Sequence, residues 1–301
     1  RNRKRMVSFC DCNIESKRVM EKVSLKSNAK VNLTLQIINK RSDGYHNIST
    51  IFQEIDLNDK IIMEKKESGC NFSTNVNWLN NDSSNLCIKA WKRMAEEFDI
   101  GGVAIYLNKQ IPAGSGLGGG SSNAATVIKG LKRLYNLTVS DNDLEKLAVD
   151  IGADVPFFIR GGLQIGEGLG DQLKKIKSFI QGVFLLVIPG IHIDTAWAYD
   201  QCKKILQSSR MEVNFARFLE RGEIPFELFE NDFETIVVPA YPEIGNIKEM
   251  LLNHGVRFAS LSGTGSTVYG IFDNEADAIS VESSFPTSYK TFIVQPRLDS
   301  M

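Results

Sequence analysis

The sequence predicts an α+β protein, and three stretches carry that expectation. Apolar and polar residues alternate over 29–38, the period of a strand. A strand-like run at 103–107, a glycine-rich loop and an amphipathic helix follow one another through residue 135. From 183 to 294 the elements recur as β-α-β-β-α-β, the ferredoxin-like split motif, broken only by a polar insert around 208–238. At 301 residues the chain can form two domains or one large one.

Bulk composition narrows the function classes. Charged residues at 24% and hydrophobic ones at 43% are ordinary for a globular protein. A net charge of −1 gives no basis for nonspecific nucleic-acid binding. No apolar run approaches the roughly 18 residues that span a bilayer. Cys10, Cys12, Cys70, Cys87 and Cys202 are odd in number and hold no C-x-x-C pair, so reduced thiols are expected. His46, His192 and His254 lie far apart, without the spacing of a zinc site.

Taken in order, residues 1–20 begin with a basic run and are expected to be a disordered extension. In the strand at 29–38, Val31, Leu33, Leu35 and Ile37 share one face; Lys30, Asn32, Thr34 and Gln36 share the other. That pattern predicts a half-buried strand, with Lys30 and Asn32 projecting from the same side. Such residues ordinarily mark a solvated face. Asp43-Gly44 between extended segments signals a hairpin and sets Tyr45 and His46 just beyond it. Residues 48–66 read as further strands, and 83–98 as a helix carrying Leu86, Ala90 and Met94.

The glycine loop comes next: Pro112, Ala113, Gly114, Ser115, Gly116, Leu117, Gly118, Gly119 and Gly120, then Ser121 and Ser122 at the expected helix cap. Five of the seven residues from 114 to 120 are glycine, which lets backbone N–H groups approach a ligand. Strand, loop and helix start together form an anion site at the positive end of a helix dipole. Gly114, Gly116 and Gly119 satisfy G-x-G-x-x-G, but the acidic residue and second strand of a dinucleotide fold do not follow. A Walker loop is excluded, since Gly120 stands where lysine is needed.

Ser140 with Asp143 forms a capping pair before a helix that Gly152 stops. Asp154 then sits among Ile151, Val155, Phe157 and Phe158. It either caps a turn before Pro156 or is a carboxylate whose desolvation demands a cation. A second half begins near Gly161. It contains an apolar strand at 183–188, helices at 195–207 and 241–254, strands at 256–261 and 267–272, a helix at 275–284 and a strand at 289–294. The turn at 262–266 is a second small glycine nest.

Four separated stretches share one resemblance. Asn28-Ala-Lys-Val-Asn-Leu33, the loop at 112–125, Gly152-Ala-Asp-Val-Pro-Phe-Phe158 and Leu261-Ser-Gly-Thr-Gly-Ser-Thr267 together resemble the GHMP kinase superfamily, in order and in spacing. The three-glycine run and Asp43-Gly-Tyr-His46 resemble the branch acting on a cytidine-diphospho sugar alcohol in non-mevalonate isoprenoid synthesis, rather than mevalonate, homoserine or galactose kinases. Asn28, Ser115 and Asp194 depart from the family pattern.

The resemblance implies two domains. The first, residues 21–160, would be α/β and ribosomal protein S5 domain 2-like; the second, 161–298, ferredoxin-like. It implies Lys30 and Asp154 as the catalytic pair and residues 112–122 as the ATP phosphate cradle. Asn32 would line the acceptor pocket, and Tyr45, His46 and Tyr199 would hold cytosine, with Trp197 the rival of Tyr199. Mg²⁺ would accompany ATP, with Ser121 or Ser122 available to it. The implied protein is a monomer or homodimer acting on small molecules, without nucleic acid or membrane. Its setting would be cytoplasmic, or a plastid-type organelle if the basic start is a transit remnant.

Overall fold

The computed structural model describes residues 20–178, 180–202 and 213–298. The expected extension at 1–19 and the far end of the helix expected at 195–207 lie outside the described residues. Strands β1 (Lys22–Lys40) and β2 (His46–Lys66) form one long antiparallel hairpin. Its turn is the expected one: Gly44 takes φ 91°, Arg41 N–H donates to the Tyr45 carbonyl, and Gly44 N–H to that of Arg41. Residues 48–66 are therefore part of one strand, not several.

The first half continues through β3 (Cys70–Thr74), α1 (Leu86–Glu97), β4 (Gly102–Asn108), α2 (Gly119–Leu134), α3 (Asp141–Val149) and α4 (Phe157–Arg160). Ser140 caps α3 as its sequence predicts, accepting from Asp143 N–H. Then come β5 (Leu163–Glu167) and β6 (Gln172–Ile176), which extend the first sheet to the order β3-β4-β2-β5-β6, with β1 on β2. That sheet runs past the boundary expected at residue 160, because Thr50–Gln53 of β2 pair with Leu163–Gly166 of β5.

The second sheet comprises β7 (Val183–Ile188), β8 (Phe258–Leu261), β9 (Val268–Phe272) and β10 (Lys290–Val294), in the antiparallel order β10-β7-β9-β8. Between β7 and β8 lie α5 (Thr195–Gln201), α6 (Phe215–Glu220), α7 (Glu234–Ala240) and α8 (Pro242–Asn253); α9 (Glu275–Glu282) joins β9 to β10. This is the ferredoxin-like arrangement the element order predicts. The insert expected to be polar contributes to the core over its described part, from residue 213, where Phe215, Leu219, Phe229, Phe233 and Val237 are buried. No described helix is long and apolar enough to cross a membrane. Cys70, Cys87 and Cys202 are free thiols.

Strand β1 departs most from expectation. Every residue from Ser27 to Leu35 is buried, on both faces. Ala29, Val31 and Leu33 join Phe184, Leu186, Tyr269 and Ile271 of the second sheet in one apolar cluster. The polar face is covered too, with Lys30, Asn32 and Thr34 all buried, and the free edge is closed: Lys30 N–H donates to the Leu117 carbonyl of the glycine loop, and Asn32 N–H to Ser262 Oγ. A face with the composition of a solvated one is thus roofed by two loops.

Helix α2 lays Ala124, Val127, Ile128 and Leu131 against the first sheet. Gly130 allows the close approach, because a Cβ there would overlap Met63 Sδ and press Leu25. Alanine in a helix ordinarily gains about 1 kcal/mol over glycine, whereas overpacking costs about 1–3 kcal/mol. We expect the second effect to win, so that Gly130→Ala lowers the unfolding free energy by about 1–2 kcal/mol in urea titration. A gain in stability would contradict this packing.

Candidate active site

The entrance to the glycine loop is fixed by a carboxylate that the sequence does not single out. Asp59 on β2 is fully buried. It accepts from Gln110 N–H (2.6 Å), Ile111 N–H (2.8 Å), the Lys109 ammonium (2.6 Å) and the Asn123 amide (2.8 Å). Such use of the lone pairs is what makes a buried carboxylate tolerable. Burial lowers the pKa of Lys109 from the ordinary lysine value, and Asp59 pulls it back up. Asn123 also donates to Ser27 Oγ, which lies 2.8 Å from Ser122 Oγ. One network therefore ties β1, β2, the loop entrance and the start of α2.

The loop passes through left-handed backbone at Gly114, Gly116 and Gly118, with φ of 62°, 80° and 69°. Gly118 is the N-cap of α2, with no side-chain cap. Ser121 and Ser122, expected at the cap, lie instead in the first turn, because the left-handed glycine starts the helix two residues before Ser121. The first intrahelical bond in the turn runs from Ser122 N–H to the Gly118 carbonyl, so the N–H groups of residues 119–121 lack helical acceptors. No acidic residue occupies that turn. The loop and this helix start line a cavity of about 490 Å³, along with Trp78, Asn80, Leu86 and Lys109. Ser121 lines it; the Ser122 hydroxyl is turned to Ser27.

The second glycine nest interlocks with the first. Ser262 Oγ donates to the Gly116 carbonyl (3.0 Å), and Thr267 N–H to that of Ser115 (3.2 Å). A Cβ on Gly116 would overlap the Ser262 carbonyl oxygen. Asn231, inside the supposed polar insert, clamps this nest through its amide nitrogen, bonded to the carbonyls of Leu261 (2.7 Å) and Gly263 (2.9 Å).

Beneath the loops, Lys30 Nζ lies 3.7 Å from Asp154 Oδ2 and donates to Asn32 Oδ1 at 2.5 Å. The three residues picked out by pattern are brought together. Desolvation falls on the other partner, however: Lys30 is 4% exposed, whereas the Asp154 side chain is 36% exposed. Burial lowers the Lys30 pKa; the charge of Asp154 opposes that shift. The Phe52 ring offers its face to the ammonium, 5.4 Å from the centroid. Gly118 leaves room for this side chain, as a Cβ there would stand 3.1 Å from Lys30 Cγ and 2.9 Å from Phe158.

A pair of rings lies farther along β2. His46 is buried and stacks on Tyr199, centroids 5.4 Å apart at 22°. Its Nε2 is buried without a hydrogen-bond partner. Tyr199 also meets Phe233 edge-on and lies within electrostatic reach of Asp154. Trp197 faces the other way, against Tyr241. Tyr45 is 65% exposed, so its ring is not drawn into the pair.

Residues 85–162 match the GHMP kinases N terminal domain and residues 214–291 the GHMP kinases C terminal domain. A 4-diphosphocytidyl-2-C-methyl-D-erythritol kinase from Acetivibrio thermocellus is 38% identical over 281 residues, covering 92% of this chain and 99% of its own. The chain belongs to the GHMP kinases. A relative with the same name from Chlorobium luteolum is 39% identical over 284 residues, covering 92% and 98%. This GHMP kinase also superposes on a crystal structure of 4-(cytidine 5'-diphospho)-2C-methyl-D-erythritol kinase. There the TM-score is 0.77 and the identity 30%, over 90% of this chain and 98% of that one.

The interlocked nests yield a prediction for this kinase. Gly116→Ala forces the two loops apart and strains a left-handed residue, a cost of roughly 1–3 kcal/mol. We expect nucleotide affinity by isothermal titration to fall about tenfold or more, since 1.4 kcal/mol is a factor of ten. An unchanged Kd would sever the link between this contact and nucleotide binding.

Proposed function

We propose that the chain transfers the γ-phosphoryl group of ATP to the 2-hydroxyl of 4-diphosphocytidyl-2-C-methyl-D-erythritol. The products are the 2-phosphate and ADP, in the non-mevalonate route to isoprenoids. The observation that carries the chemistry is the buried Lys30 ammonium beside a half-exposed Asp154 carboxylate, directly under a glycine loop. Relatives of that name, matched over nearly their full length, support the choice of acceptor.

Phosphoryl transfer asks a protein mainly for position and charge stabilisation. Here the loop at 112–122, with the unpaired backbone N–H groups of residues 119–121 at the start of α2, holds the β- and γ-phosphates, with the nucleoside in the cavity walled by Trp78 and Lys109. Asp154, the exposed member of the pair, accepts the proton of the attacking hydroxyl, as a general base must reach it directly. Lys30 keeps Asp154 ionised and offsets charge gathering on the transferred group. Asn32 lines the acceptor pocket beside it. Tyr199 and His46 take the cytosine, with the unpartnered His46 Nε2 meeting a polar atom of the base and Tyr45 at the mouth.

Mg²⁺ draws most of its ligands from phosphate and water, so one or two protein oxygens suffice. The described residues hold no cluster of three His, Cys, Asp or Glu side chains, a composition that fits an ion completed by substrate phosphates. Ser121 on the cavity wall is the hydroxyl at hand, while Ser122 is engaged by Ser27. When bound, the ion neutralises charge on the β- and γ-phosphate oxygens. The reaction belongs in a bacterial-type cytoplasm or a plastid-type organelle.

Coupled ADP release tests the proposal, with the cytidyl substrate run against mevalonate, homoserine and galactose. Turnover is expected with the first alone. Turnover only with another acceptor moves the chain to a sister branch, and ATP binding with no turnover makes it a non-catalytic module. For the base itself, Asp154→Asn should bind ATP normally while kcat falls by roughly 10²–10⁴. An unchanged kcat removes Asp154 from that role.

A further inference from the structure

An asparagine amide can face an ammonium with its oxygen or with its nitrogen, and only the oxygen supports the charge. At Asn32 a chain of buried hydrogen bonds decides between them. The main-chain carbonyl of Thr34 can only accept, so the Thr50 hydroxyl commits its single proton there, at 2.7 Å. Its lone pairs then accept from Asn32 Nδ2 at 2.8 Å. That leaves Asn32 Oδ1 turned to Lys30 Nζ at 2.5 Å. Thr34, Thr50, Asn32 and Lys30 are all 4% exposed or less, so water does not compete for these groups.

We propose that Thr50 is a positioning residue for phosphoryl transfer, holding the Asn32 amide in the one orientation that seats the Lys30 ammonium between Asn32 and Asp154. This rests on the reading of Lys30 and Asp154 as the transfer pair. Thr50 does not line the nucleotide cavity; it stands on β2, paired across the sheet with Leu35 and Gly166. The groups facing Lys30 are Asn32 on β1, the Phe52 ring on β2, the backbone of Gly118 and the Asp154 carboxylate. Of these only Asp154 is charged. Without the Thr50 acceptor the amide can turn its nitrogen toward the ammonium, removing one of its two polar supports. The Lys30 pKa, already lowered by burial, then falls further.

The test compares wild type, Thr50→Val and Thr50→Ser in the full chain. Activity is followed by ADP release across pH, and Lys30 by NMR titration of its side-chain ¹⁵N. Valine keeps the shape and removes the hydroxyl; serine restores it. We expect Thr50→Val to lose roughly 10- to 100-fold in kcat, to keep KM for ATP within about twofold, and to move the alkaline limb and the Lys30 titration to lower pH. Serine should recover all three. Wild-type kcat and alkaline limb in the valine variant would overturn the proposal. So would a loss of kcat with an unmoved limb that serine fails to restore, which is the mark of a merely structural role. If the wild type does not turn over the cytidyl substrate, the proposed reaction fails. The NMR titration still decides on Thr50, since an unshifted Lys30 overturns it and a lowered one sustains it. Should the valine variant not fold, Thr50→Cys, a weak donor and acceptor, is read by the same criteria.

Discussion

The site depends on keeping a lysine ammonium charged inside the protein. An isolated buried ammonium costs several kcal/mol and ordinarily escapes by losing its proton. Lys30 is held by a carboxylate, an amide oxygen and an aromatic face, each from a different segment. Asp154 comes from the turn ahead of α4, Asn32 from β1 itself and Phe52 from the neighbouring strand. The surrounding fold keeps these supports together and closes water out. Strand β1 is buried on both faces around Lys30, and two of the three irregularities in the β1–β2 register, near Asn28 and near Leu33, flank the lysine.

Two devices hold the roof over that lysine. At one end Asp59 gathers the loop entrance and the start of α2 onto β2. At the other, Ser262 and Thr267 bind the carbonyls of Gly116 and Ser115, with Asn231 bracing the second nest from behind. Asp232, next to Asn231, accepts from Ile37 N–H, and Tyr269 donates to the Asn32 carbonyl. Each half of the chain thus supplies hydrogen bonds to the strand that carries Lys30. The cavity at the glycine loop is lined by the first half, while the second half braces that loop from behind.

Local patterns made much of this legible. The period-2 alternation of β1, the Asp43-Gly44 turn, the Ser140 cap and the strand–loop–helix unit all depend on neighbours in sequence. The β-α-β-β-α-β order survived a long insert because strand pairing follows the apolar runs. What could not be read is set by residues far away. The polar face of β1 looks solvated until the loops at 117 and 262 are laid across it. Asp59, between Asn58 and Lys60, has the composition of an exposed stretch, and its partners lie some fifty residues on. Asn231 in a polar insert gave no sign of the carbonyls it clamps. Trp197 and Tyr199 are two residues apart on one helix and so face different ways; only the placement of Tyr241 and His46 decides which ring stacks on the histidine.

The interlock of Gly116 with Ser262 joins residues 146 positions apart. During synthesis the first sheet, the glycine loop and the start of α2 all emerge long before their second wall exists. Lys30 and Asp154 are both present by then, yet the nest that braces the glycine loop arrives only with the chain following β8. A ribosome-bound chain stalled in the insert would already contain Lys30 and Asp154 and still lack the nest that interlocks with Gly116. The brace on the glycine loop is therefore completed only after most of the polypeptide has been made.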